Sequence, residues 1–514
     1  MSSGPGAPPT GLAAPVLASA GWLFTRRLSA NVIRLVAVAI LARQLAPAEF
    51  GLAALAGVLV QFVTLVGEGG TGTYVIYDRA EGRGRRVQAA FWLNLAISML
   101  QCGLCLAAIP FATRLFPHPQ LGAVLAALVA VFFVRQLAVV PDALVQRDLR
   151  HPLLAKRDMV LDLAGAALSV LLAVQGAGVW SLVVPSLALQ PVSLVVALRA
   201  ARWRPALPME TGQWRRVLRY TAPLMGSRVL SLVTNDGDTL LVGRLLGTTV
   251  LGFYSMAWQL ANLVGRNITA VVWSVTMPAL ARVRDDAERL RSAYLRMIGF
   301  LGIVCLPLLA GMAALAEELV RAVYGEGWEP AVTLLRIFVL FTLVRSLTSP
   351  SSMVYNVMGR PDIGFKFTLA FTPVYVAAIL VGSRWGAAGI AGAVSMVRTG
   401  GALVDLHLAA RLIDLPLRRV AAVLQGAAGL SVLLAALAWA TAGLLGAAGV
   451  GPFLRLIAAT AVGGGAYVAG LVVRRPAGYE DVARAFRATR GSLQRRWSRC
   501  LRKEEPVLVG GERG

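Results

Sequence analysis

Apolar residues in this chain gather into runs separated by short segments in which arginine is concentrated. The runs are about 17–25 residues long, which is what a helix needs to cross a ~30 Å hydrocarbon core. They predict about fourteen membrane-spanning helices, with cores near 28–45, 50–67, 89–109, 121–141, 159–175, 179–198, 220–242, 249–270, 297–316, 331–349, 367–383, 387–408, 420–445 and 453–473. No stretch alternates apolar and polar residues as a barrel strand would. The expected fold class is therefore all-α, a polytopic integral membrane protein.

Composition sharpens this reading. Of 514 residues, 57% are hydrophobic and 15% charged, against roughly 45–50% and ~25% in a soluble domain, so a soluble globular protein is excluded. The formal charge is +24, but its placement argues against a nucleic-acid partner. Twenty-four basic residues, from Arg79 to Arg419, fall in one set of alternate loops, and five (Arg43, Arg114, Arg244, Arg321, Arg384) fall in the other. Basic loops stay on the cytoplasmic side. With an even number of spans, both termini are then cytoplasmic.

The ends of the chain and one loop add detail. Residues 1–20, rich in Pro, Gly, Ala and Ser, read as a disordered lead. Residues 481–503 read as a basic amphipathic helix, with Val482, Phe486, Leu493, Trp497 and Leu501 on one face, suited to anionic lipid headgroups. Leu280, Val283, Ala287, Leu290 and Tyr294 show the same spacing and predict a second surface-lying helix.

An internal repeat divides the spans. At an offset of 201, Arg43, Leu45 and Gly51 recur as Arg244, Leu246 and Gly252; Ala177-Gly178-Val179 recurs as Ala388-Gly389-Ile390 at 211. The repeat predicts an N-lobe at 21–200 and a C-lobe at 220–410, each of six spans. A cytoplasmic linker at 201–219 with tryptophan interface anchors joins them. Spans 13 and 14 (411–473) and a basic tail (474–514) follow. Two parallel six-helix lobes that rock about a linker are a transporter plan.

The chemistry lies at membrane depth. No nucleophile elbow, Gly-rich phosphate loop or metal-spaced cluster occurs, so no catalytic residue, metal or cofactor is assigned. Cys102 and Cys105, inside an apolar run, read as packing residues. Ionisable residues within spans are costly and face a wet cavity or a partner. Arg34, Arg135, Arg228 and Arg345 are the cavity candidates. Glu68, Asp236 and Asp238 are coupling or structural charges. An excess of guanidinium suits an anionic cargo, because the planar fork matches phosphate oxygens.

Several blocks carry a family likeness: RQLAPAEFGLAAL (43–55), QGAGVWSLVV (175–184), RWRPAL (202–207), LVGRLLGTTVLGFYSMAWQLANLV (241–264), MPALARVRDDAERLRSAYLR (277–296), YGEGWEPAVTLLRI (324–337) and NVMGRPDIGFK (356–366). In order and spacing the chain resembles the polysaccharide-unit (Wzx-type) flippases of the multidrug/oligosaccharidyl-lipid/polysaccharide exporter superfamily. The resemblance implies a fourteen-helix, two-lobe fold with a cationic cavity. It also implies a flippase for undecaprenyl-diphosphate-linked oligosaccharide units in exopolysaccharide, capsule or O-antigen assembly, working beside a polysaccharide polymerase. Arg27 or Arg34, and Arg228, stand where relatives that flip the peptidoglycan precursor place cargo arginines. A drug or peptidoglycan-precursor exporter of the same superfamily, a membrane-embedded polymerase or ligase, and a structural scaffold remain as alternatives. The topology has a direct test. In intact cells a membrane-impermeant thiol reagent should label Thr248→Cys and leave Gly84→Cys and Gly212→Cys unmodified; labelling at Gly84 from outside would overturn the orientation.

Overall fold

A computed structural model describes residues 29–64, 71–77, 85–148, 150–206, 214, 236–263, 265, 268, 280, 282–476 and 478–480. Among these all regular structure is helical, and nine helices are long and apolar enough to cross a membrane; one of the nine, Asp362–Leu412, contains two of the expected spans. The chain is a multi-pass membrane protein. In chain order the first helices are α1 (Ser29–Leu41), α2 (Pro47–Thr64), α3 (Thr71–Tyr77), α4 (Arg85–Leu115), α5 (Leu121–Arg147), α6 (His151–Val174), α7 (Trp180–Ala201) and α8 (Asp236–Leu263). They are followed by α9 (Ala287–Ala314), α10 (Ala316–Tyr324), α11 (Glu329–Thr348), α12 (Ser351–Val357), α13 (Pro361–Gly382), α14 (Gly386–Leu412), α15 (Leu417–Ala447) and α16 (Pro452–Arg474).

Every expected span except the seventh falls on one of these helices. Most of the seventh, the 481–503 tail and Pro223 and Pro278 lie outside the described residues. The short helices α3, α10 and α12 were not expected. Another difference concerns the loop before α9. Residues 283–285 form a turn, and Asp286 adopts an extended backbone and accepts a hydrogen bond from the Arg289 N–H at 3.0 Å. That cap starts a new helix. Ala287, Leu290 and Tyr294 are therefore the first turns of the long α9, and Leu290 and Tyr294 are buried, so they form no separate surface-lying helix.

By compactness the chain forms two units, one of Met1–Gln259, Val320–Ile337 and Thr368–Val397, the other of Leu260–Leu319, Phe338–Phe367 and Arg398–Gly514. In the first, Tyr74, Phe91, Leu144 and Trp203 share a core. Trp203 stacks edge-on to Phe91 at 5.3 Å and is 5% exposed. It is thus a core residue, which differs from the interface anchor expected of it. The segment behind it is pinned to α4: Gln88 Nε2 donates to Arg204 O, the Ala206 N–H donates to Gln88 Oε1, and Trp92 Nε1 donates to Ala206 O, all at 2.9–3.0 Å.

The same unit contains the contact between the two copies of the repeat. Pro47 opens α2, and Glu49 reaches back to accept from the Ala46 N–H at 2.9 Å, so the chain turns sharply after α1. In α8 the corresponding turn shows as Gly247, with φ 85°, a backbone conformation that glycine adopts without strain. Beyond these turns Gly51 and Gly252 lie against each other's segments. A Cβ on Gly51 would strike the Thr248 carbonyl, and one on Gly252 would strike the Pro47 carbonyl. Trp328 closes the cluster: it is buried, donates from Nε1 to Ala42 O at 2.9 Å, and meets the rings of Phe50, Phe253 and Tyr324 at 5.3–5.6 Å. Arg43 Nη2 donates to Ala322 O at 2.6 Å beside it.

In the second unit α15 and α16 pack on α9. Ile303 and Leu306 meet Leu424, Ala427 and Leu471, and the Tyr467 hydroxyl donates to Ile303 O at 2.8 Å. Arg291 Nε donates to Ile413 O at 2.6 Å and fixes the turn before α15. The glycine contact can be tested with a built-in control. Gly51→Ala and Gly252→Ala should each lower the melting temperature in detergent by several degrees, since overpacking costs about 1–3 kcal/mol. Gly57→Ala, on the same helix as Gly51 but with nothing within 4 Å of its added Cβ, should be neutral or slightly stabilising, because alanine favours the helix. Equal melting temperatures for all three variants would refute the close approach.

Candidate functional site

Helices α1, α3, α5, α6 and α7 of the first unit surround a cavity of about 900 Å³. Its charged lining consists of Arg34 on α1, Arg135 and Asp142 on α5, and Arg157, Asp158 and Asp162 on α6. The formal charges cancel, three against three, but they are unevenly placed. Arg157 grips Asp142 with both terminal nitrogens, at 2.6 and 3.1 Å, while Asp158 accepts from its Nε at 2.9 Å. Arg157 is 8% exposed at its side chain. One guanidinium thus occupies two carboxylates, and the bidentate fork locks α5 to α6 near the turn that joins them.

Arg34 and Arg135 stand apart from that cluster. Each is exposed to the cavity, and neither makes a hydrogen bond or ion pair among the described residues. The positions follow from helical spacing. On α1, Ala30, Arg34, Ala37, Val38 and Leu41 share the cavity face. Small residues around the arginine, together with Gly72 and Thr73 of α3, leave it room. Polar residues on α7 complete the wall: Ser186, Gln190 and Ser193 come round at intervals of three and four. The arrangement offers two guanidinium forks to an anion and hydroxyl and amide groups to a polyhydroxylated ligand.

The second unit contains another arginine pair. Arg345 of α11 and Arg398 of α14 both approach the ring of Phe341, with Cζ at 6.0 and 5.7 Å from its centroid. Nearby, the Tyr355 hydroxyl donates to the backbone carbonyl and Oδ1 of Asp405, each at 2.9 Å. Arg345 is exposed and makes no hydrogen bond among the described residues, whereas Arg398 is buried.

The remaining candidates divide. Asp238 is 2% exposed; its carboxylate accepts from the Tyr254 hydroxyl at 2.8 Å and from the Thr239 N–H at 3.0 Å, a bonding pattern that anchors the start of α8. Asp236 is the first residue of α8 and has interactions of its own. Arg228, Arg27 and Glu68 lie outside the described residues. The Asp142–Arg157–Asp158 cluster escaped the sequence reading, which counted Arg157 among the loop charges and did not single out Asp142. A signal existed: an aspartate and an arginine seven or eight residues either side of residue 149 are level with each other in a helical hairpin. Away from the membrane-spanning helices, burial pushes the phenol of Tyr324, packed on Trp328, above its ordinary range.

Comparison with known proteins sets this geometry in a family. The chain is 27% identical to the succinoglycan biosynthesis transport protein ExoT of Rhizobium meliloti, over 67% of this chain and 69% of that protein. It is 24% identical to the lipopolysaccharide biosynthesis protein WzxC of Escherichia coli (69% and 73% covered) and 22% identical to the teichuronic acid biosynthesis protein TuaB of Bacillus subtilis (74% and 80% covered). Among solved structures it superposes on the lipid II flippase MurJ in an inward closed conformation with a TM-score of 0.70 at 13% identity, covering 90% of this chain and 99% of that one. It superposes on an inward-facing MATE family transporter of the MOP superfamily with a TM-score of 0.56 at 16% identity, covering 76% and 98%. The fold is that of these transporters, as the hydropathy pattern and the sequence blocks led us to expect. The family model described as polysaccharide biosynthesis protein matches residues 40–333, more than half of the sequence, and the chain belongs to that family.

Proposed function

We propose that this chain is a flippase that moves oligosaccharide units linked to an undecaprenyl diphosphate carrier across the bacterial inner membrane by alternating access, with both termini in the cytoplasm. The observation that carries this reading is the pair of guanidinium groups, Arg34 and Arg135, facing a cavity of about 900 Å³ with no hydrogen bond or ion pair among the described residues. A cation held at membrane depth costs about 2.5–3.5 kcal/mol even on the mild insertion scale. Retaining two such groups while Arg157 engages Asp142 and Asp158 makes sense where a ligand brings negative charge to them. A diphosphate does so with oxygens that fit the guanidinium fork. The Ser186, Gln190 and Ser193 stripe then faces the sugar end of the cargo. Arg345 is the corresponding candidate in the second unit. Relatives named for succinoglycan, lipopolysaccharide and teichuronic acid biosynthesis support a surface polysaccharide as the end product, with the polymerase machinery as consumer of the flipped unit.

Deleting the gene should abolish a surface polysaccharide and leave its lipid-linked unit on the cytoplasmic leaflet. Polymer made at normal yield in the deletion strain, with no related transporter present, would refute the proposal. Arg34→Ala and Arg135→Ala should each lower export about 10- to 100-fold, the equivalent of losing a charge-assisted pair of roughly 1.5–3 kcal/mol, with membrane insertion intact. Lysine at either position should restore export only in part, because a point charge lacks the fork. Normal export by both alanine variants would remove the cavity from the mechanism.

A further inference from the structure

The short helix α3 has seven residues, too few to hold a place by its own backbone hydrogen bonds. Even so, Gly72, Thr73 and Ile76 of α3 line the cationic cavity. They face it beside α5, the helix that carries Arg135. The two helices lie close together. A Cβ on Gly72 would come within 3.1 Å of Val139 Cγ1, one turn beyond Arg135.

Helix α5 has a weak point of its own. Pro141 lies inside it and has no N–H, so the carbonyl four residues back, on Leu137, loses its helical donor. A helix bends most readily at such a place. Arg157 grips Asp142 with both terminal nitrogens and so holds the segment that follows the proline. Arg135 lies on the segment that precedes it, which needs a separate hold.

Asn94 of α4 supplies one. Its Nδ2 donates to Gln136 O at 2.8 Å, and its Oδ1 accepts from the Thr71 hydroxyl at 2.9 Å. The orientation of the amide is fixed, because a backbone carbonyl can only accept. One side chain thus joins the first residue of α3 to the residue next to Arg135. The Ser98 hydroxyl donates to Asn94 O at 2.7 Å, one turn along α4. Asn94, Thr71, Gln136 and Ser98 are all buried, where a hydrogen-bonding group left without its partner is costly. Asn94 itself is not part of the cavity lining.

We propose that Asn94 is a positioning residue for the cargo site: it clamps α3 to α5 ahead of the proline and so fixes the direction from which Arg135 meets the diphosphate. The inference rests on the flippase reading and adds a residue that acts on the site from outside it. An apolar side chain of similar shape would satisfy packing alone. The amide adds a donor toward one helix and an acceptor toward another, and these bonds end on the two elements that form this part of the wall.

The test is a double-mutant cycle on the purified full-length chain in nanodiscs, with undecaprenyl diphosphate as the probe. Asn94→Leu should weaken binding about tenfold, as expected for the loss of one or two buried hydrogen bonds. In an Arg135→Ala background that loss should shrink to about twofold or less, because the group being aimed is gone. In an Arg34→Ala background it should persist in full. Asn94→Asp gives a second reading that does not depend on the leucine variant folding. A protonated acid reproduces both bonds, whereas a carboxylate keeps only the acceptor. Thr71, Gln136 and Ser98 do not titrate, so pH dependence beyond that of wild type comes from the introduced acid. Affinity of Asn94→Asp relative to wild type at the same pH should therefore rise as pH falls from about 8 to about 5. Equal losses from Asn94→Leu in all three backgrounds, or a relative affinity of Asn94→Asp that is flat with pH, would overturn the positioning role and leave the flippase reading standing. Failure of the wild-type chain to bind the diphosphate would overturn both.

Discussion

Charge at membrane depth is the constraint to which the first unit is built. A buried guanidinium is tolerated when carboxylates surround it, and breaking such a pair leaves a far more costly lone charge. Asp142 and Asp158 give Arg157 that environment, and in doing so they fix the α5–α6 hairpin at the depth where α1 and α7 close the cavity. The same aspartates are engaged by Arg157, and Arg34 and Arg135 make no hydrogen bond or ion pair among the described residues. The compensated arginine stabilises the walls, and the two others give the space between them its chemistry.

Much of the fold was legible because a bilayer-spanning helix must be long and apolar, and both properties can be read along one dimension. The elements that escaped lack one of them. The helices α3, α10 and α12 have seven to nine residues, too few for a hydropathy window, yet α3 supplies part of the cavity wall. The break before α9 depended on one capping aspartate in the middle of an amphipathic spacing that continued on both sides. Trp203 was misread because tryptophan beside arginine is the mark of a membrane interface; only the neighbouring Phe91 makes it a core residue.

The site was legible in a different sense. Hydropathy picks out arginines inside spans, but it does not say which of them have partners, because partners come from other helices. Arg34 and Arg345 looked equivalent in sequence. Arg34 makes no ion pair among the described residues, while Arg345 shares a phenylalanine ring with a second arginine and lies near Asp405. Asp238, an apparent membrane charge at the start of α8, turned out to be held by the hydroxyl of Tyr254, sixteen residues on. Polar function at depth is thus a property of what is missing around a residue, and that information exists only in three dimensions.

The contact of Gly51 with Gly252 has a consequence for which changes the chain can accept. The two glycines occupy the same place in the two copies of the repeat, and each leaves room for the backbone of the other copy. The two positions are therefore not free to change separately, since a side chain gained at either would collide with the main chain of the other segment. A hybrid joining the first half of this chain to the second half of a distant relative would inherit that dependence: it would assemble only if both parents had kept the glycine, however well their remaining surfaces matched.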